Sequence, residues 1–173
     1  MMTLILIRHG ETKEGKKGIL LGQLPGNLTG AGKQEMIAAA KKIREEVNPE
    51  VIFSSDLKRA KDSAKILSNE LGLNVVYNKL LRERSGGDAE GKTEEKINWK
   101  EYERVSLPYR KHKGGESFID VKNRAEEFLE FLRSQKYKTV IIVSHSAFLA
   151  MLISKIKRWS IKKSLKEQPK KLK

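Results

Sequence analysis

Only three histidines occur in this chain of 173 residues, and two of them stand directly after apolar runs. Thr3–Ile7 leads into Arg8-His9-Gly10-Glu11-Thr12, and Thr139–Val143 leads into Ser144-His145-Ser146. A third run, Val51–Ser54, opens into Ser55-Asp56-Leu57-Lys58-Arg59-Ala60, and a fourth, Asn74–Tyr77, precedes Leu81-Arg82-Glu83-Arg84. Two imidazoles, two guanidiniums and one carboxyl group are the parts that phosphoryl transfer through histidine needs. A neutral imidazole attacks phosphorus in line, and cations hold the equatorial oxygens as charge spreads over them. An acid protonates the leaving oxygen. Taken singly, each residue has an ordinary reading: a structural histidine, an arginine in a surface ion pair, or Glu83 neutralised by flanking Arg82 and Arg84. Their common place after strands is what joins them.

The elements that must position these residues follow from patterning. The four runs are short, continuously apolar and rich in Val and Ile, as strands covered on both faces are. Helical patterns lie between them. Thr29 is placed to cap a helix to about Val47, with Met36, Ile37, Ala40, Ile43 and Val47 as its inner stripe. Others are predicted over Asp56–Leu71, stopped by Gly72, over Ser117–Arg133, and over Ala147–Ile156. Alternating strands and helices predict an α/β three-layer sandwich with a mainly parallel central sheet. Its first strand and a later one are expected in the middle, so that His9 and His145 face one pocket beyond the strand ends. The Gly-rich segment 79–116 is expected to form a lid-like insertion there. It carries a weak helix over Thr93–Glu103.

Composition bounds the alternatives. Lys and Arg number 36 against 22 Asp and Glu, a formal charge of +14. Residues 155–173 hold nine basic and one acidic side chain, so more than half of the excess is terminal. The expected division is a catalytic domain over 1–156 and a basic tail over 157–173. Lys155, Lys157, Lys162, Lys163 and Lys166, interleaved with Ile156, Trp159 and Leu165, also permit a polyanion-binding protein that uses the tail. Nucleic acid is nevertheless not expected as a partner, since a solvated terminal helix accounts for the same pattern. The absence of Cys excludes disulfides, thiolate nucleophiles and Cys-based zinc sites. A cytoplasmic setting is expected, with no membrane partner, because no apolar run approaches the ~20 residues of a span. Neither a metal nor another cofactor is expected.

The blocks in order resemble the histidine phosphatase superfamily, the phosphoglycerate-mutase-like group. Leu6-Ile7-Arg8-His9-Gly10-Glu11-Thr12 is similar to its signature. Leu28-Thr29-Gly30-Ala31-Gly32, Ser54-Ser55-Asp56-Leu57-Lys58-Arg59-Ala60, Leu81-Arg82-Glu83-Arg84 with Gly87-Asp88-Ala89-Glu90-Gly91, Gly114-Gly115-Glu116-Ser117 and Val143-Ser144-His145 resemble the later blocks. The resemblance implies that His9 is phosphorylated during the reaction. Arg8, Arg59 and His145 would complete the phosphate pocket, and Glu83 would be the general acid and later the base. Thr12, Gly22 and Ser146 are expected in support, with Glu11 in the same turn. Gly15 stands where many members have Asn, and Leu21 where many have Gln. Ser146 replaces a common Gly, and Ala89 a larger residue.

The short lid and the missing terminal strand favour a phosphomonoester hydrolase, acting on small acidic phosphorylated metabolites, over a cofactor-dependent phosphoglycerate mutase. A protein phosphohistidine phosphatase is the further alternative. Lid cations Lys92, Lys96, Lys100, Arg104, Arg110, Lys111 and Lys113 are expected to attract the substrate. The shortened end leaves one sheet edge for pairing with a second copy, so a homodimer is an expectation.

Overall fold

The computed structural model describes residues 2–167. Four strands, β1 (Thr3–Arg8), β2 (Val51–Ser54), β3 (Val75–Tyr77) and β4 (Thr139–Ser144), form one parallel sheet in the order β1-β4-β2-β3. Alternate side chains of β4 serve opposite faces. Val140 and Ile142 join one apolar cluster, and Ile141 and Val143 join the other. This double burial is why the strand reads as an unbroken apolar run.

On the second face lie α2 (Gly30–Glu46) and α3 (Lys58–Leu71). The hydroxyl of Thr29 caps α2 by accepting from Gly32 N, and Gly72 ends α3 in the left-handed conformation at φ 68°. The buried residues of α2 include Met36, Ala39, Ala40 and Ile43. Ile37 and Val47, expected inward, are exposed at the rim, because the helix needs only a narrow stripe where small alanines meet the sheet.

The first face carries α5 (Phe118–Arg133), α6 (Ser146–Lys157) and α7 (Ile161–Lys166). Ser117 and Asp120 form a reciprocal capping box at the start of α5. Phe128 is fully buried among Phe53, Phe131 and Phe148. Two short helices, α1 (Lys13–Lys16) and α4 (Trp99–Tyr102), lie in the loops beyond the strand ends.

Three expectations change. First, β1 is an edge strand among the described residues, not a middle one; its neighbour β4 takes the interior position. The histidines still meet, because they follow these two adjacent strands. Second, no separate tail begins at 157 within the described residues. The chain turns at Arg158 (φ 53°) and folds α7 back, burying Ile161 and Ser164 and packing Leu165 on the core. Lys155 pairs with Glu126, and Lys157 and Lys163 lie over the Trp159 ring, so the basic run is partly consumed within the fold. Residues 168–173 of the expected tail lie outside the described ones. Third, the weak helix expected over Thr93–Glu103 is a 3₁₀ turn at Glu94–Lys96 followed by α4. No described helix is long and apolar enough to cross a membrane.

Candidate active site

A cavity of about 350 Å³ opens beyond the carboxyl ends of the strands, lined among others by Arg8, His9, Thr12, Gly22, Arg59, Glu83 and Ser146. A smaller cavity of about 210 Å³ shares Arg8, His9, Thr12 and Gly15 with it.

His9 is held on a loop that admits no side chain at two points. A Cβ on Gly10 would stand 2.3 Å from the Gly32 carbonyl oxygen, and one on Gly32 would stand 2.2 Å from that of Glu11. The N-terminal turn of α2 therefore packs directly on the backbone after β1. Gly10 N donates to Ser63 Oγ, and Glu11 N to a Glu35 carboxylate oxygen. The His9 ring is oriented from both nitrogens. Nδ1 lies 2.8 Å from the Gly10 carbonyl oxygen, and a carbonyl only accepts, so Nδ1 carries the proton. Nε2 is then a lone pair, and Arg59 Nε donates to it at 3.1 Å. The unprotonated nitrogen is the one that faces the cationic side of the site.

Arg59 stands in the first turn of α3 and is 2 % exposed. Its Nη1 and Nη2 donate to the carbonyls of Leu24 and Gly22 at 2.8 and 2.7 Å. Burial pushes its pKa below the ordinary arginine value, and the charge of Glu83 opposes that shift. Gly22 adopts φ 51°, and a Cβ there would overlap the Glu90 carboxylate. Its role is thus to turn a carbonyl toward Arg59. Arg8 is exposed, and it lines both cavities.

His145 is fully buried, its ring centroid 5.1 Å from that of His9. Burial, reinforced by Arg59, His9 and Arg8, holds its pKa well below the usual histidine range. Its Nε2 lies 2.8 Å from Ser55 Oγ, which already accepts from Leu57 N at 3.2 Å. A Ser55 hydroxyl that donates to Nε2 places the ring proton on Nδ1. Nδ1 is a buried nitrogen with no hydrogen-bond partner among the described residues. Unpaired buried polar atoms are rare, and with the proton on Nδ1 a ligand oxygen would satisfy it.

Glu83 reaches the site from the loop after β3. One carboxylate oxygen accepts from Arg84 N at 2.7 Å, and the other from Ala147 N, in the first turn of α6, at 3.3 Å. Neither flanking guanidinium pairs with it among the described residues. Arg82 forms a bidentate pair with Asp56 at 2.7 and 2.6 Å. Arg84 lies 4.4 Å from the Phe118 ring centroid.

Thr12 is buried and caps α1 by accepting from Gly15 N, while the Glu11 carboxylate accepts the Thr29 hydroxyl. Both build the turn, and Thr12 also lines the cavity. Ser146 lines it from the first residue of α6. Of the lid cations expected to draw in substrate, Lys92, Lys96, Lys100, Arg104, Arg110, Lys111 and Lys113, none is among the described lining residues. The loop that carries them places Glu83, Arg84 and Gly86 in the wall instead.

Sequence reasoning missed the support beneath Glu83. Arg124 donates from Nε and Nη2 to Glu116, both at 2.9 Å, and from Nη1 to the carbonyls of Leu80 and Arg82 at 2.6 and 2.9 Å. Glu116 in turn accepts from Ser85 N. The signal was present: Arg124 stands three residues after Val121 and four before Phe128, on the apolar face of its helix.

Comparison with known proteins agrees with this geometry. The profile of the histidine phosphatase superfamily (branch 1) matches residues 4–170. A metal-independent phosphoserine phosphatase of Arabidopsis thaliana is 31 % identical over 161 residues, 88 % of this chain and 68 % of the relative. A probable phosphoglycerate mutase of Escherichia coli is 30 % identical over 162 residues, 90 % of this chain and 75 % of the relative. The structure of mycobacterial glucosyl-3-phosphoglycerate phosphatase in complex with VO3 superposes with a TM-score of 0.85 at 28 % identity. That superposition covers 96 % of this chain and 87 % of the other. A buried pair of histidines and two arginines after parallel strands, and a profile that spans nearly the whole chain, lead to one assignment: the chain belongs to the histidine phosphatase superfamily, branch 1.

Proposed function

We propose that the protein hydrolyses phosphomonoesters of small phosphorylated metabolites through a phosphohistidine at His9. The observation that carries this reading is the fixed tautomer of His9, with Nδ1–H on the Gly10 carbonyl and the Nε2 lone pair beside Arg59. In the first step a phosphoryl oxygen takes over the Arg59 Nε–H, which frees the Nε2 lone pair, and Nε2 attacks phosphorus as the ester P–O bond breaks. Glu83, as the carboxylic acid, gives its proton to the departing alkoxide, which leaves as the alcohol. Arg8, Arg59 and His145 hold the three phosphoryl oxygens, and these contacts strengthen as charge spreads over the oxygens in the transition state. Next, water attacks the phosphohistidine, the Glu83 carboxylate takes its proton, and inorganic phosphate leaves with His9 neutral again. The names of the phosphatase relatives support this reading.

The test is phosphate release from p-nitrophenyl phosphate in a chelator, for wild type, His9→Ala and Glu83→Ala. Equal rates in all three sink the mechanism. A second reading, phosphoryl transfer between two hydroxyl groups of the substrate, is favoured by the name of the Escherichia coli relative. Assay of 3-phosphoglycerate with and without 2,3-bisphosphoglycerate separates the two by product: free phosphate or 2-phosphoglycerate.

A further inference from the structure

The loop of residues 22–24 serves Arg59 through its backbone, Gly22 and Leu24 accepting Nη2 and Nη1. The peptide bond that joins Gly22 to Gln23 has its carbonyl on Arg59, at 2.7 Å, and its N–H on the Glu90 carboxylate, at 2.9 Å. Glu90 is half-buried and is not among the described residues that line the cavity. We infer that Glu90 is a positioning residue: it sets the plane of that peptide, and through it the Arg59 guanidinium, and it ties this loop to the segment that carries Glu83. The inference rests on the phosphomonoesterase reading of the site and adds to it a residue that acts only through others.

Three observations carry it. First, a single carboxylate oxygen gathers the bonds. Glu90 Oε1 accepts from Gln23 N, from Gly86 N at 2.8 Å and from Ser85 Oγ at 3.3 Å. The first donor belongs to the Arg59 loop, and the other two follow Glu83 by two and three positions. Second, the close approach is built into the backbone. Gly22 is at φ 51°, and a Cβ there would stand 2.1 Å from Glu90 Oε1. A Cβ on Gly86 would stand 3.1 Å from Glu90 Cγ. The Glu90 side chain therefore runs between two Cα atoms that carry no side chain. Third, a second strut spans the same gap: Gln23 Nε2 donates to the Glu83 carbonyl at 3.1 Å. Residue 23 is thus bound to the acid-bearing segment through both its backbone and its side chain.

Charge and bonding act in one direction. An N–H held by a carboxylate leaves the carbonyl of the same peptide a better acceptor, so Gly22 holds Arg59 more firmly. Burial pushes the Arg59 pKa down, and the charges of Glu83 and Glu90 oppose that shift. Without its bond to Glu90 the peptide is free to rotate, and the guanidinium loses one of its two carbonyl anchors.

Two substitutions separate the bond from the charge. Glu90→Gln keeps an acceptor oxygen at the same reach and removes the charge. Glu90→Asp keeps the charge and shortens the reach by a methylene. Kd for orthovanadate is measured by isothermal titration, which reads the phosphate pocket without turnover. Phosphate release gives kcat/KM for glycerol 1-phosphate, at a temperature where circular dichroism shows wild type and both variants folded. Glu90→Asp is expected to weaken orthovanadate about tenfold, the worth of one hydrogen bond to a charged group, and to lower kcat/KM at least as far, with Glu90→Gln within about threefold of wild type on both. An Asp variant equal to or better than the Gln variant overturns the inference. So does a fall in Tm with orthovanadate affinity unmoved, which leaves Glu90 a stability residue. Wild-type protein that binds orthovanadate but releases no phosphate from p-nitrophenyl phosphate or glycerol 1-phosphate overturns the phosphomonoesterase reading, and the order of the two variants in orthovanadate affinity still decides the role of Glu90. Wild-type protein that does neither overturns both.

Discussion

Replacing Arg124 with Met removes the guanidinium while keeping most of the apolar stem. Four of its hydrogen bonds are 2.6–2.9 Å long: two to Glu116 and one each to the carbonyls of Leu80 and Arg82. A weaker one reaches the Glu83 carbonyl at 3.4 Å. Breaking one side of a buried pair costs about 3–5 kcal/mol. The side chains of Arg124 and Glu116 retain 15 % and 24 % exposure, so water takes over part of the loss. A destabilisation of about 2–3 kcal/mol follows, which lowers Tm by roughly 5–10 °C in a domain of this size. Catalysis is affected differently. The bonds tie down residues 80, 82 and 83, the segment that aims the Glu83 carboxyl, so Arg124 is a positioning residue. A displacement of about 1 Å costs up to 100-fold in a step that depends on the displaced group. That step is protonation of the leaving oxygen. Alkyl esters need it, and p-nitrophenyl phosphate, with a stable phenolate, barely does. The expected loss in kcat/KM, which reports the phosphorylation half-reaction and not the later attack of water, is roughly 30–100-fold on glycerol 1-phosphate and under fivefold on p-nitrophenyl phosphate. The assay is steady-state phosphate release from both esters at a temperature where the variant is folded by circular dichroism. Equal losses on the two esters refute the positioning argument and leave Arg124 a stability residue.

Other outcomes follow from the same geometry. Gly10→Ala drives a methyl group into the Gly32 carbonyl; overpacking of about 1–3 kcal/mol, and a loss of activity greater than the loss of stability, are expected in paired melts and assays. Phe128→Ala opens a cavity in the first-face core and should cost about 3–5 kcal/mol in urea unfolding, with active-site geometry intact in the folded fraction. His145 has its folded-state pKa depressed, so the unfolded chain binds the extra proton and stability rises with pH. Its contribution is complete above the unfolded value of about 6.5 and is lost as pH falls below it, at ~1.4 kcal/mol per pH unit. His145→Gln is expected to flatten stability between pH 6.5 and 4.5, and an unchanged slope there would remove the assignment. Pairing of a second copy along β1 predicts twice the 19.7 kDa chain mass in sedimentation at micromolar concentration, and a single-chain mass excludes it.

Much of the site was legible because its residues sit at strand ends. A continuous apolar run followed by a polar break marks such an end, and that is where His9, Arg59 and His145 were sought and are found. The cap at Thr29 and the stop at Gly72 were equally local. What was not legible depends on order and distance in space. Nothing in Leu4-Ile5-Leu6-Ile7 distinguishes an edge strand from an inner one, since β1 keeps both faces partly covered by helices. The fold-back at Arg158 was hidden for another reason: the lysines of α7 dominate its composition, while only Ile161, Ser164 and Leu165 carry its packing. Ser55 lay in view within a recognised block, but its link to His145, ninety positions on, required the fold.

The edge position of β1 explains how the nucleophile is built. An inner strand holds the loop that follows it between two neighbours. Here β4 supplies one side only, through the bond from His9 N to the Ser144 carbonyl at 3.0 Å. The other support comes from the helices of the second face. Ser63 of α3 takes Gly10 N, and Glu35 of α2 takes Glu11 N. The facing glycines let α2 approach the loop to backbone contact. The same α3 carries Arg59, whose own carbonyl accepts the Ser63 hydroxyl at 2.7 Å. One helix thus fixes both the loop that bears the nucleophile and the guanidinium that faces its lone pair. Ser63 thus couples the backbone next to the nucleophile to the helical turn that carries Arg59, and the 3.1 Å contact between His9 and Arg59 rests on that shared anchor.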